Sequence, residues 1–238
     1  MFSQERMGPY LAALANQVES VSRSALAKER SGTQLAKLGQ FLSDRISVEQ
    51  SSTYDRYAKL AAEKGLPMLA CQKGCSWCCN QRVGATIPEA LAVAAFVEAN
   101  FDETQKSELR ERIAAYQAGL LAWQKATPYN EACAFLKDGA CSIFASRPAA
   151  CRAFNSNDAS ICRHNYEHPE DLQPKRTWEV HWDIAYEMRQ ALERALQSQG
   201  LDGSKFEFVS VMGTIFDNPE LIGDYMKGER PFADSQLP

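Results

Sequence analysis

The segment CQKGCSWCCN, residues 71–80, contains four cysteines, and the last two of them are adjacent. The chain has 238 residues and eight cysteines, and the other four follow between residues 133 and 162. A lone cysteine is usually a small buried hydrophobic residue, but this degree of clustering is not typical of scattered core thiols. The eight positions are Cys71, Cys75, Cys78 and Cys79 in the first group, and Cys133, Cys141, Cys151 and Cys162 in the second.

The composition of the chain determines how these thiols are interpreted. A net charge of −4 favours neither nucleic acid nor an anionic membrane surface as a partner. The longest apolar run, residues 90–97, is too short to cross a bilayer, and the N-terminal sequence MFSQERMGPY does not resemble a signal peptide. We therefore expect a cytoplasmic protein. In that reducing compartment, clustered thiols more often bind metal or carry out redox chemistry than form disulfides.

The spacing of the cysteines favours metal binding. Thiolates bind zinc, cuprous copper and iron–sulfur clusters, and the C-x3-C-x2-C-C spacing lets one backbone turn direct several sulfurs to a common centre. Gly74 permits the tight turn that this arrangement needs. Neighbouring side chains usually diverge, so Cys78 and Cys79 are expected to serve two centres, or one as a ligand and the other as a buried or reactive thiol. Eight thiols can complete two four-coordinate sites or one cluster with spare thiols.

Hydrophobic periodicity predicts a mainly α fold, an irregular helical domain with cysteine-rich metal-binding loops. Gly65 and Pro67 end the helical N-terminal part, and Asp102 with Gln105 fits a capping box. We expect a helical N-terminal extension over residues 1–66 and a cysteine-cluster metal-binding domain with C-terminal helices over residues 67–238. The segment KFEFVSVMG, residues 205–213, fits a strand or a short helix. Helices are predicted near residues 10–25, 31–46, 51–64, 87–100, 102–125 and 176–199, with short helices in a loop-rich stretch at 130–165.

The first cysteine group, followed by CAFLKDGACSIFASRPAACRAF at residues 133–154, resembles the YkgJ-type cysteine-cluster family, the CxxCxxCC zinc- or iron-chelating domain. The resemblance covers about residues 71–165. The sequence departs from the family pattern at the three-residue spacing between Cys71 and Cys75. The resemblance implies metal chelation by the cysteines, with an iron–sulfur cluster favoured. Flagellin N-methylases carry a similar cysteine motif, so the resemblance is also compatible with an enzyme.

Three residues near the thiols are candidates for tuning a bound metal. Arg147 and Arg152 flank Cys151, and a guanidinium there can donate hydrogen bonds to a negatively charged cluster and raise its reduction potential. Arg147 could instead pair with a carboxylate or cap a helix. Trp77 is expected to shield the metal, and Pro148 to begin a short helix that carries Cys151. An apolar shell around the site is expected from Phe135, Ile143, Phe144 and Phe154; of the histidines, His164 is a candidate ligand, and His168 and His181 are expected to be solvated.

These observations lead to one main hypothesis and two alternatives. The main hypothesis is a metal-binding protein that holds an iron–sulfur cluster, most simply of the four-iron, four-sulfur type, with room for a second metal centre and with a redox or catalytic role. One alternative is a structural zinc protein that binds a protein partner. The other is a SAM-linked protein lysine methylase, by analogy with the flagellin N-methylases. Cys71, Cys75 and Cys78 also match the C-x3-C-x2-C spacing of radical SAM enzymes, but helices precede the motif here and no strand–helix series follows it, so this match is treated as coincidental. The sequence does not decide whether the protein is an enzyme, nor which redox or protein partner it has.

Overall fold

The computed structural model of the protein describes residues 4–72, 74–123, 130–174 and 177–235. Within these residues the fold is mainly α-helical, as predicted. None of the described helices combines the length and the apolar character needed to cross a membrane. The helices are α1 (Gln4–Lys28), α2 (Gly32–Lys64), α3 (Ile87–Asn100), α4 (Glu103–Ala122), α5 (Ala149–Ala153), α6 (Ala159–Glu167), α7 (Glu179–Ser198), α8 (Phe208–Asp217) and α9 (Leu221–Met226).

Four two-residue strands complete the regular structure of the described chain. They are β1 (Gly84–Ala85), β2 (Leu136–Lys137), β3 (Ala140–Cys141) and β4 (Phe206–Glu207). Strands β1 and β4 pair antiparallel, with Gly84 opposite Glu207, and β2 and β3 form an antiparallel hairpin. The segment predicted as a strand or a short helix is therefore both, because β4 leads directly into α8.

Helix α2 is longer than the sequence pattern predicted. Two helices were expected at residues 31–46 and 51–64, but the structure has one continuous helix, so the predicted break is wrong. No glycine or proline occurs between residues 40 and 64 to interrupt it. The Ser31 hydroxyl accepts a hydrogen bond from the Gln34 N–H at 3.0 Å and caps the start. Gly65, with a φ of 61°, ends the helix in the left-handed conformation.

Other helix boundaries follow the predicted signals. The capping box of Asp102 and Gln105 at the start of α4 is confirmed. Helix α3 covers the predicted residues 87–100, and its first turn contains Pro88 and Glu89 as expected. The ends of two predicted helices, at residues 124–125 and 176, lie outside the described residues.

One hydrophobic core joins the long helices. Helix α1 packs on α7, α2 packs on α3 and α7, and α4 packs on α8. The core includes fully buried residues from both sides of the predicted boundary at residue 66, so the N-terminal helices share their core with the cysteine-bearing part. The division into two domains stays a prediction. Representative core residues are Val18, Leu35, Ile46, Ile87, Val93, Leu109, Ile184, Leu192, Phe208 and Met212.

A buried polar contact ties α2 to α5 and α7. The Gln50 amide donates hydrogen bonds to the carbonyls of Arg152 (3.1 Å) and His181 (2.9 Å). The His181 Nε2 lies 3.1 Å from the Gln50 carbonyl oxygen and donates to it. The expectation that His181 is solvated is therefore wrong. Burial lowers the pKa of His181, and the charge of Arg147 lowers it further. The hydrogen bond to Gln50 raises this pKa, but by less than burial lowers it.

This lowered pKa predicts acid sensitivity of the fold. Between the unfolded pKa, about 6.5, and the lower folded pKa, the unfolded chain binds more protons than the folded chain. The free energy of unfolding should therefore fall as the pH falls through that window. Replacing His181 by Gln removes this contribution, so urea unfolding at pH 7.5 and pH 5.5 should show a smaller loss in the variant. The exposed control His168→Gln should keep the wild-type loss, and an equal loss in His181→Gln would contradict the assignment.

Candidate metal centre

A backbone hydrogen bond brings the first and second cysteine groups together. Cys78 and Cys79 lie in a 3₁₀ turn formed by Trp77–Asn80. The Cys133 N–H donates a hydrogen bond to the Cys79 carbonyl at 2.8 Å. The segment that carries Cys133 is thus joined to the 3₁₀ turn by a main-chain hydrogen bond.

The β2–β3 hairpin returns Cys141 toward Cys133. Asp138 and Gly139 form its two-residue turn, and both have a positive φ, 51° and 73°, as a type I′ hairpin turn requires. Cys141 pairs with Leu136, whose N–H donates to the Cys133 carbonyl at 2.8 Å. The hairpin therefore places two cysteines that are eight positions apart in the chain at the same end of a small loop.

Helix α5 carries Cys151, and a buried glutamate holds its start. Glu89, 3% exposed, accepts a hydrogen bond from the Ala149 N–H at 2.8 Å through Oε1. Its Oε2 accepts from the N–H and the hydroxyl of Thr86, both at 2.8 Å. One carboxylate thus caps the start of α3 and fixes the first turn of α5 against it. Sequence analysis missed this role, although the T-x-x-E pattern at Thr86 was a detectable signal for the α3 half of it.

Loss of this carboxylate should loosen α5. In a Glu89→Gln variant one oxygen becomes an NH₂ group, which cannot accept the N–H bonds that the carboxylate satisfies. A buried group left without its partner costs about 1–3 kcal/mol, so we expect a lower melting temperature and a lower metal content. Glu98→Gln, at the exposed end of the same helix, is the matched control and should change neither. Wild-type stability and metal content in Glu89→Gln would rule out this positioning role.

Arg152 fixes the other side of α5 to α2. Its guanidinium donates to the Ser43 hydroxyl (2.7 Å) and the Ser47 hydroxyl (2.6 Å) on α2, and to the Ala145 carbonyl (2.6 Å). Burial lowers the pKa of Arg152 to about 10. These hydrogen bonds all go to oxygen atoms, so Arg152 reaches the thiols through its charge. The charges of Arg147 and Arg152 both lower the pKa of Cys141, against the larger raising effect of burial.

The segment before α6 also contacts the first cysteine group. The Ser156 N–H donates to the Cys71 sulfur at 3.3 Å, and the Ala70 N–H donates to the Ser156 carbonyl at 2.8 Å. Helix α6, which carries Cys162, packs on the 3₁₀ turn. The rings of Trp77 in that turn and Tyr166 in α6 lie 5.4 Å apart between centroids. These contacts hold Cys162 beside the first cysteine group.

Burial keeps most of these thiols neutral at ordinary pH. It raises the pKa of Cys133 to about 12 and the pKa of Cys151 well above its usual range. For Cys79 the largest cause of a raised pKa is a hydrogen bond with the Cys78 side chain, followed by burial. The two adjacent side chains therefore meet in the compact 3₁₀ turn, contrary to the expectation that they diverge.

Five thiols have a raised pKa, and the cysteines that raise these pKa values form two overlapping sets. The pKa of Cys71 is raised by burial and also by Cys75, Cys78 and Cys162. Cys133 and Cys141 raise the pKa of both Cys79 and Cys151, and Cys78 raises the pKa of Cys79, Cys133, Cys141 and Cys151. Cys78 thus lies at the junction of both sets.

The thiols are gathered, but they do not form a finished coordination shell. None of the eight cysteines forms a disulfide. Among the described residues, no three Cys, His, Asp or Glu side chains are close enough together to hold a metal ion. The assignment of all eight cysteines as metal ligands therefore stays a prediction.

The other predicted site residues have mixed surroundings. His164 Nε2 lies 3.0 Å from the Asp171 carbonyl and 3.2 Å from its carboxylate, so this imidazole nitrogen already has a partner. Phe135 and Ile143 are buried and Phe154 is half-buried, as expected for an apolar shell. Phe144 is 60% exposed with the Arg147 guanidinium over its ring at 4.0 Å, so its place in that shell is wrong.

A second buried glutamate also escaped the sequence analysis. Glu207 in β4 is 2% exposed and accepts hydrogen bonds from the Tyr116 hydroxyl (3.0 Å) and the Ser210 N–H (2.8 Å). Its charge contributes to the raised pKa of Cys133, which places a carboxylate near the second cysteine group. The only sequence signal was a glutamate between two phenylalanines in an apolar run.

Comparison with known proteins identifies the cysteine-bearing part. Residues 70–178 match the family model described as "CxxCxxCC: Putative zinc- or iron-chelating domain". Searches of curated proteins and of solved structures gave no match. The matched range contains all eight cysteines, the β2–β3 hairpin, α5 and α6. Over residues 70–178 this chain is therefore similar to the CxxCxxCC zinc- or iron-chelating domains.

Proposed function

We propose that the protein holds an iron–sulfur cluster and a second metal centre side by side. Cys79, Cys133, Cys141 and Cys151 would bind the cluster. Cys71, Cys75, Cys78 and Cys162 would bind the second metal. The observation that carries this proposal is geometric: the Cys133 N–H bonds the Cys79 carbonyl, whereas the Ser156 N–H bonds the Cys71 sulfur and helix α6, which carries Cys162, packs on the 3₁₀ turn.

The surroundings of the second group suit a cluster. Four thiolates give a bound cluster net negative charge, and the guanidinium charges of Arg147 and Arg152 already act on Cys141. The buried side chains of Phe135 and Ile143 lie in the same segment and limit access of water. Positive charge favours the more negative, reduced cluster, whereas exclusion of water opposes the added charge and protects the cluster from hydrolysis. Both set the reduction potential, so a redox role is the function that this environment supports best.

A structural zinc site is the second candidate, and one observation favours it. Leu66, Met68 and Cys71 are all exposed, so the loop before the 3₁₀ turn buries little surface of its own. Zinc commonly stabilises loops of this kind without any redox chemistry. In that case both groups would hold zinc, and the protein would act through its surface.

Metal analysis of two cysteine variants tests both candidates. Protein purified without oxygen is expected to contain iron and acid-labile sulfide and to show broad visible absorption. Cys141→Ser should lose iron, sulfide and colour, because thiolate ligands are removed from the cluster group. Cys162→Ser should retain the colour and lose only the second metal.

An exposed histidine provides the control for these cysteine variants. His168→Gln removes an exposed imidazole that is outside the predicted ligand set, so this variant should keep the full metal content. Colourless protein with zinc in both groups would replace the iron–sulfur proposal by the zinc candidate. Full metal content in both cysteine variants would mean that the assigned ligands are wrong.

A further inference from the structure

A cavity of about 420 Å³ lies beside the second metal group and is not explained by metal binding. It is formed between the 3₁₀ turn, the end of α4 and helix α6, and Cys162 is part of its lining. Its volume is within the range typical of sites for small molecules, roughly 300–1,000 Å³. Three of its lining side chains are aromatic: Trp77, Trp123 and Tyr166.

The aromatic lining suits a flat ring. Trp77 and Tyr166 pack together at 5.4 Å with their planes tilted by 46°, so they form one continuous aromatic surface. Trp123 supplies a second aromatic surface and carries the Arg82 guanidinium 5.2 Å from its ring centroid. Offset stacking on such rings is favourable for any planar π system.

The charge of the cavity suits an anion. Arg82 is the one charged residue among the described lining residues, and neither Asp nor Glu is among them. The Arg82 Nε is buried and has no hydrogen-bond partner in the part of the chain that the structure describes. The guanidinium carries its charge over five N–H donors, so the Arg82 side chain that lines the cavity attracts an anionic group there.

The polar wall of the cavity is held in place before any ligand binds. The Asn165 amide exchanges two hydrogen bonds, each 2.8 Å, with the backbone of Gln173. The Asn130 amide donates to the Tyr166 carbonyl at 2.6 Å. These bonds connect α6 to the segments on both sides of it, so the cavity does not need to be assembled by the ligand.

We propose that this cavity binds a small anionic molecule with a flat aromatic ring system. The ring stacks on the tryptophans, and the acidic group pairs with Arg82. The acidic group is a carboxylate or a phosphate, since both accept bidentate hydrogen bonds from a guanidinium. The bound molecule lies next to Cys162, so it is placed to act on, or respond to, a metal held there. Binding itself does not depend on which metal the thiols hold.

Calorimetric titration of the metal-loaded protein tests the proposal with two pairs of probes. The anions are adenosine monophosphate and 2-naphthoate, and their neutral counterparts are adenosine and 2-naphthamide. At least one anion should bind about tenfold or more tightly than its neutral counterpart, the effect of roughly 1.5–3 kcal/mol for a charge-assisted hydrogen bond. Binding of only the nucleotide or only the naphthoate identifies the acidic group as phosphate or carboxylate.

Two variants and a control assign the site. Arg82→Gln should weaken the anion about tenfold and leave the neutral probe unchanged, and Trp123→Leu should weaken both. Arg163→Gln, which removes an exposed arginine of α6 that pairs with Glu167 at 2.7 Å, should change neither. Absence of binding by both anions, or equal binding of anion and neutral probe by the unmodified protein, would overturn the proposal.

Discussion

Removal of the bound metal is expected to lower the melting temperature by roughly 8–16 °C. A metal present at about a thousand times its Kd stabilises the folded state by about 4 kcal/mol. For a chain of this length, 1 kcal/mol corresponds to about 2–4 °C in melting temperature. A large effect is expected because the thiols proposed to bind the metal come from separate segments of the chain, and the segment before the 3₁₀ turn buries little apolar surface.

The loop that begins the cysteine region shows why the metal should matter there. Leu66 and Met68 are 40% and 42% exposed, so they bury little apolar surface. The contacts of this loop with other parts of the chain include the Ala70 and Cys71 bonds to Ser156 and the hydrogen bond from the Tyr57 hydroxyl to the Pro67 carbonyl. With metal bound, Cys71 and Cys75 would be fixed to α6 through Cys162 as well.

Differential scanning calorimetry before and after chelation measures the effect, and hydrogen exchange localises it. Amides of residues 66–76 should lose protection, whereas amides of α7, which is buried in the helical core, should keep theirs. Adding the metal back should restore the original melting temperature. Unchanged melting after complete metal removal would mean that the metal does not stabilise the fold.

The local parts of this fold could be predicted from the sequence, and the long-range parts could not. The stripe of Leu109, Ile113 and Tyr116 is buried as the 3.6-residue period predicts, and the capping box at Asp102 begins α4. Hydrophobic period and cap residues report only on neighbours within a few positions. The predicted break within α2 failed for the same reason, because a polar stretch at residues 47–52 resembles a loop locally but is retained as helix by tertiary packing.

The candidate site shows the same limit. The clustering of cysteines in the sequence predicted the region that carries the site, and the family match agrees with it. The contacts that position it join residues far apart: Glu89 reaches Ala149, and Glu207 reaches Tyr116. A buried carboxylate with a distant partner has the same sequence signature as a surface glutamate. Only the packing of the helices distinguishes the two.

Of the described glycines, Gly39 is the one at which an added methyl group should destabilise the fold most, so Gly39→Ala is expected to lower the melting temperature. An alanine Cβ at this position would lie 2.0 Å from the Pro88 carbonyl oxygen, far inside van der Waals contact, because α2 and α3 pack closely there. The neighbouring atom is backbone, so it cannot rotate away, and the two helices must separate. Overpacking of this kind costs about 1–3 kcal/mol or more, equivalent to roughly 2–12 °C in melting temperature.

Gly223→Ala is the matched control for this substitution. Gly223 is a helical glycine in α9, and an added Cβ there meets no atom within 4 Å. Alanine is the better helix former by about 0.5–1 kcal/mol, so the control should melt at the same temperature as the wild type or slightly higher. Thermal unfolding of the two variants therefore separates the clash from the intrinsic effect of replacing glycine.

The clash at Gly39 should also reach the metal centre, because the first turn of α3 supports it. Pro88 precedes Glu89, and Glu89 holds the Ala149 N–H at the start of the helix that carries Cys151. A shift of α3 away from α2 would move this carboxylate and misplace the Cys151 sulfur. Gly39→Ala should therefore bind metal more weakly in a competition titration with a chelator, and Gly223→Ala should not. If Gly39→Ala melted at a lower temperature yet kept wild-type metal affinity, the carboxylate link between α3 and α5 would not position the thiol.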